Sequence, residues 1–135
     1  EITSATTAKV KGPEANTLLT QVIIPEKATN SLNGKSYTVT AIADKAFRNT
    51  SSNGEITSIT LPDSLKEIGD FAFFSCFKLE GINLPDGLTK IGYQAFQNCY
   101  SLTEITIPSS VTTMSSHVFN RCIGLKKLPL KRIRS

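Results

Sequence analysis

Apolar residues recur along this chain at a fixed step of 23 positions. Ile56, Leu79, Leu102 and Leu125 open successive units, Ile59, Ile82, Ile105 and Leu128 follow, and Leu61, Leu84, Ile107 and Leu130 come next. Proline stands after the third member, at Pro62, Pro85 and Pro108, and the apolar set resumes at Leu65, Leu88 and Val111, then Ile68, Ile91 and Met114. Phenylalanine returns at Phe73, Phe96 and Phe119 and cysteine at Cys76, Cys99 and Cys122. Tandem units of this kind cannot bury their apolar residues alone, so they stack into a solenoid in which each turn covers the next. Within a unit, the alternation at Ile59 and Leu61 and its copies predicts a short strand with those side chains inward. Proline lacks an N–H and ends that strand after about four or five residues. The Ala-Phe segment, for example Tyr93 to Asn98, predicts a single helical or 3₁₀ turn with Ala95 and Phe96 inside, and Gly69 and Gly92 would permit the bend before it. Stacked, these units give a parallel sheet on one side and short helical turns on the other.

The first 55 residues read as a β-rich N-terminal cap. Ile2, Ala8 and Val10 lie in a stretch with strand propensity, Gly12-Pro13 signals a turn, and the run Leu18 to Ile24 predicts a second strand. Asn33-Gly34, followed by Tyr37 and Val39, predicts a hairpin. The cap merges into a degenerate repeat. Leu19, Val22, Ile24 and Pro25 fill the strand slots, while Val39, Ile42, Ala46 and Phe47 match Leu65, Ile68, Ala72 and Phe73. Thr50 to Glu55, rich in Ser, Asn and Gly, reads as a surface loop. A single domain over 1–135 results: cap and degenerate repeat in 1–55, three full repeats in 56–124, and a truncated fourth repeat with a basic tail in 125–135. That fourth repeat stops before its Ala-Phe segment and shows no polar terminal cap. Either the chain is part of a longer array, or the edge near Leu128 is covered by a second copy in a dimer.

The segments LPDSLKEIGDFAFFSC, LPDGLTKIGYQAFQNC and IPSSVTTMSSHVFNRC share the pattern LxxIxLPxxLxxIGxxAFxxC. This pattern resembles the BspA-like class of leucine-rich repeat found in bacterial surface and secreted proteins, and it covers about half the chain strictly. The fold expected is α/β, a right-handed leucine-rich-repeat solenoid with an N-terminal β-hairpin cap. The resemblance implies a cell-surface or extracellular location and adhesion to host matrix proteins or to other bacteria. A purely structural role, as a rigid spacer in a longer surface protein, is the alternative.

Charge changes this picture little. The chain carries 15 basic and 11 acidic residues, but Lys126, Lys127, Lys131, Arg132 and Arg134 supply five of the fifteen; without them the balance is 10 minus 11, or −1. A charged end is not the basic stripe that nucleic-acid binding requires. No stretch approaches the ~18 apolar residues of a membrane helix, and no secretory signal pattern opens the chain. The three cysteines, an odd number, occupy one slot of successive turns. They predict an internal ladder of small buried thiols and not a disulfide framework. Zinc sites bring ligands in close pairs, which are missing here, so no metal or cofactor is expected.

Candidate chemistry is sparse. His117, the chain's one histidine, shares its slot with Phe71, Gln94 and Lys45, a tolerance that reads as solvent exposure and not as a shielded general base. No enzyme is expected. Two binding surfaces remain, both for a protein partner. One is the outward face of the strands, with Thr60, Asn83, Glu104 and Thr106, which lacks the Tyr, Trp and Arg that dominate binding energy. The other is Phe71 with Phe74, apolar where later repeats carry Gln94 and His117, and Gln97 and Asn120. Unmatched aromatics of this kind mark a contact site; the ordinary alternative is that the Thr50 to Glu55 loop folds over them. Phe77, matched by Tyr100 and Ile123, reads as ordinary packing.

Overall fold

The computed structural model describes residues 7–12, 20–49 and 55–126. Nine strands occur in these residues: β1 (Thr7–Val10), β2 (Gln21–Ile23), β3 (Lys27–Thr29), β4 (Ser36–Ile42), β5 (Ser58–Thr60), β6 (Glu67–Ile68), β7 (Gly81–Ile82), β8 (Lys90–Ile91) and β9 (Thr113–Met114). They form two sheets where the sequence predicts one. The first runs β2-β5-β7, all parallel; the second runs β1-β4-β6-β8-β9, also parallel, with β3 added antiparallel to β4.

Each turn of the coil has three sides. The first is the predicted strand: Ile59 is buried between exposed Ser58 and Thr60, and Ile59 stands opposite Val22 and Ile82. Buried Pro62 makes the corner, where the Leu65 N–H turns back to the Pro62 carbonyl at 3.1 Å. The second side is the two-residue strand that ends at Ile68, which pairs with Ile42 on one side and Ile91 on the other. That strand contributes a single inward side chain, so it leaves no alternation to read.

The third side corrects the expectation of short helical turns: the described residues contain no helix. The N–H groups of Ala72, Phe74 and Cys76 fold back to Gly69, Phe71 and Phe73 at 3.2–3.3 Å, but those of Phe71, Phe73 and Ser75 donate across to the carbonyls of Tyr93, Ala95 and Gln97 at 2.8 Å. The turn before repeats this, with Lys45, Phe47 and Asn49 donating to Asp70, Ala72 and Phe74. A helix would direct every N–H along its own axis and leave none to join the turns. Alternating donors join them instead, at the cost of a left-handed backbone at Phe71 (φ 56°) and Ser75 (φ 60°) and their counterparts Gln94, Asn98, His117 and Arg121. In this ladder the earlier turn donates to the later one. The sheets carry bonds in both directions, as in Ile24 N–H to Thr60 carbonyl and Glu80 N–H to Thr57 carbonyl.

The interior is a set of columns. Phe47, Phe73, Phe96 and Phe119 stack with centroids 5.6, 5.2 and 5.8 Å apart and planes within 18° of parallel. Beside them Cys76, Cys99 and Cys122 are buried, unbridged thiols, each donating from Sγ to a backbone carbonyl of the preceding turn, those of Phe47, Phe73 and Phe96. Gly69 and Gly92 correct a second expectation: neither has a positive φ. A Cβ on either would lie 2.5–2.6 Å from the backbone nitrogen of the preceding turn, at Asp44 or Asp70. Close approach, not bending, requires glycine there.

At the N-terminal side β1 buries Ala8 and extends the second sheet beside β4. The Asn33-Gly34 hairpin is present between β3 and β4, with Gly34 at φ 67°. Gly12, at φ 100°, passes so near the next segment that a Cβ would sit 1.6 Å from the Ala46 carbonyl oxygen. Ile2, Leu18, Leu19, residues 50–54 of the predicted loop, and the Leu128 edge with its basic tail lie outside the described residues.

Candidate functional site

The third side carries a run of rings on its outer surface. Phe71 and Phe74 are both half-buried, and their rings meet edge-on at 5.7 Å. Phe71 also meets Tyr93 at 5.4 Å and 83°, and Tyr93 meets His117 at 5.9 Å and 74°. The Arg48 guanidinium lies over Phe74, 5.4 Å from its centroid. Arg48, Phe74, Phe71, Tyr93 and His117 thus form one continuous band across four turns of the coil. Two of its members, Tyr93 and Arg48, escape the sequence reading. Tyr93 had a signal, since its slot holds Asp44, Asp70 and Ser116 in the other turns.

That slot has its own task. Asp44 Oδ1 accepts the Asp70 N–H at 2.8 Å, and Asp70 Oδ1 accepts the Tyr93 N–H at 2.8 Å. Each carboxylate therefore reaches the backbone of the next turn, and Tyr93 substitutes a ring for that contact. Beside the band, Gln94 Nε2 donates to Gln97 Oε1, and Asn98 Nδ2 donates to Ser75 Oγ at 3.1 Å.

His117 is exposed, as its slot suggested, but exposure is not what the slot shares: Phe71 and Gln94 are half-buried. Lys45 (φ 62°), Phe71, Gln94 (φ 51°) and His117 (φ 60°) share a left-handed backbone. The imidazole contacts Tyr93, and among the described residues no carboxylate hydrogen-bonds to it.

The strand-face candidates divide. Thr60, Asn83, Glu104 and Thr106 are all exposed. Asn83, Glu104 and Thr106, with Asp86 and Gly81, line a groove of about 240 Å³; Thr60 stands outside it. The groove opens where the first sheet ends. Beyond β7 the next turn forms no strand against it, and the Thr103 N–H reaches the Glu80 carbonyl at a stretched 3.4 Å. Phe77, read as packing, stacks on Tyr100 at 5.2 Å and 12°, yet stays 39% exposed, and Ile123 in the same slot is 80% exposed. This is a surface column.

The thiols of the column differ: the hydrogen bond with Cys99 holds the Cys122 thiol below its ordinary value. Burial pushes the Cys76 thiol up to about 12. Cys99 is raised too, by its hydrogen bond to the Cys122 thiol and by burial.

Comparison with known proteins fits this geometry. A crystal structure of a leucine-rich repeat protein from Bacteroides capillosus shares 36% identity, with 94% of this chain aligned to 88% of that one at a TM-score of 0.79. One from Bacteroides ovatus shares 32% identity over 90% of this chain, TM-score 0.77. A leucine-rich cell surface protein from Faecalibacterium prausnitzii shares 28% over 93%, TM-score 0.72. The chain spans only 30% of the Bacteroides ovatus protein and 38% of the Faecalibacterium prausnitzii one. No curated protein matches. The sequence pattern of the BspA-type leucine-rich repeat region, in 6 copies, matches residues 15–134, and the chain belongs to that family.

Proposed function

We propose that this chain is a non-catalytic protein-contact module of a bacterial cell-surface or secreted protein, serving adhesion to host matrix or to other cells. The observation that carries the reading is the band of Phe74, Phe71, Tyr93 and His117, a run of ring contacts displayed on the outside of the coil. Aromatic side chains supply much of the binding energy of protein interfaces because they bury large apolar area at little cost in rotamer freedom. Similarity to a cell surface protein of Faecalibacterium prausnitzii supports the location.

The test is retention of purified extracellular-matrix proteins and of whole bacterial cells by the immobilised chain, set against a Phe71→Asn/Phe74→Gln variant. Asn tolerates the left-handed backbone at 71, and Gln already fills the slot of Phe74 one turn later, at Gln97. The expected outcome is capture by the native chain and a loss of about tenfold or more in the variant, equivalent to ~1.4 kcal/mol, with the melting temperature unchanged. Capture equal in both would remove the band from the account, and no capture by either would favour the spacer.

A further inference from the structure

We propose that the aromatic band takes an acidic segment of a partner protein, an extended stretch with carboxylates on either side of an apolar centre; this rests on the band being the contact surface. The charges around the rings carry it. Lys45 and Arg48 stand on the turn before Phe71 and Phe74, and Arg121 stands on the same turn as His117 at the far end. All three cations are exposed, and among the described residues none is in an ion pair. The two acidic residues on this side, Asp44 and Asp70, are bound by Oδ1 to the backbone of the next turn. Both keep their charge, so on this side the first turn carries two cations against the one carboxylate of Asp44, the last turn carries Arg121 with no carboxylate, and half-buried Asp70 is the one acidic group between them.

The side of the first sheet repels the same partner. Glu80, Asp86 and Glu104 are exposed around the β7 groove and outside any ion pair among the described residues, while Lys78 is already held by Glu55 at 2.5 Å. Exposed Lys66 and Lys90 make the second sheet basic as well, but among the described residues it carries no exposed ring; charge and rings together pick out the band, and complementarity of this kind governs encounter and specificity. Adjacent turns lie ~4.8 Å apart, so four turns span about 14 Å, the reach of roughly four extended residues. A single-stranded nucleic acid fits less well. Its bases need faces to stack on, whereas these rings meet at 66°, 83° and 74°.

The experiment is fluorescence anisotropy with the whole chain and three labelled probes: the peptide Asp-Glu-Phe-Pro-Tyr-Glu-Asp, the same peptide with lysine at its four acidic positions, and an oligothymidylate. The acidic peptide is expected to bind at least about tenfold tighter than the lysine version, weakening as salt screens the contact. Arg48→Glu/Arg121→Asp is expected to reverse that order. Equal binding of both peptides, abolished by Phe71→Asn/Phe74→Gln, would overturn the acidic assignment and leave the band as a contact surface. Acidic-peptide binding that survives Phe71→Asn/Phe74→Gln would remove the band itself. Tighter binding of oligothymidylate, or no binding of any probe, overturns the assignment to an acidic segment.

Discussion

Lys45, Phe71, Ser75, Gln94, Asn98, His117 and Arg121 hold a left-handed backbone without being glycine. Each such residue costs roughly 1–2 kcal/mol relative to right-handed geometry, and the inter-turn hydrogen bonds offset it. Gln94→Val, which adds a branched Cβ at φ 51°, is expected to lower stability by about 1–2 kcal/mol in urea unfolding, while Gln94→Asn leaves it level or higher. A level result for valine would mean the strain is not there. The sequence did contain this constraint in negative form, since none of the seven positions holds Val, Ile or Thr, but tolerance of Lys, Phe, Gln and His reads more readily as exposure. The thiols give a pH prediction at the same scale. Because folding raises Cys76 to about 12, the thiol's contribution is intact below the unfolded value near 9 and is lost as pH climbs from there through 12. Stability measured by denaturant titration should fall over that window more steeply in the native chain than in Cys76→Ala; equal slopes would contradict the raised value.

Elements here are short, and their legibility follows from how many side chains each turns inward. The first strand of each turn buries two positions in alternation, such as Ile59 and Leu61, and is readable. The second, β6, β8 or β9, is two residues long; β6 and β8 turn inward only Ile68 and Ile91, and both residues of β9 are exposed. The Ala-Phe segment looks helical because its buried pair recurs once per turn, yet its hydrogen bonds cross between turns. The phenylalanine column was legible in full, and it bears weight: Phe96 is fully buried between Phe73 and Phe119. Phe96→Ala is expected to cost ~3 to 5 kcal/mol, against under ~0.5 for the neighbouring Gln97→Ala, both read from urea unfolding. Comparable losses would mean the column is not the main support. Gly92→Ala should also destabilise, since its Cβ has no room beside Asp70.

At the scale of the whole molecule the coil separates its chemistry by side. One sheet presents carboxylates and polar residues around the β7 groove, and the turn side presents rings flanked by cations. Half of that second surface was legible, because Phe71 and Phe74 break a pattern that later turns keep. The remainder was not, because Arg48, Tyr93 and His117 come together only when three further turns stack, and no local pattern announces which slots will touch. On the proposed function, contact with a partner runs through this side. The measurement that tests it most directly is residue-by-residue mapping of amide NMR shifts on titration with whichever matrix or cell-surface protein the chain retains. Shifts are expected to gather at Arg48, Phe71, Phe74, Tyr93 and His117; shifts gathered at Thr60, Asn83, Glu104 and Thr106 would instead put the site on the strand face.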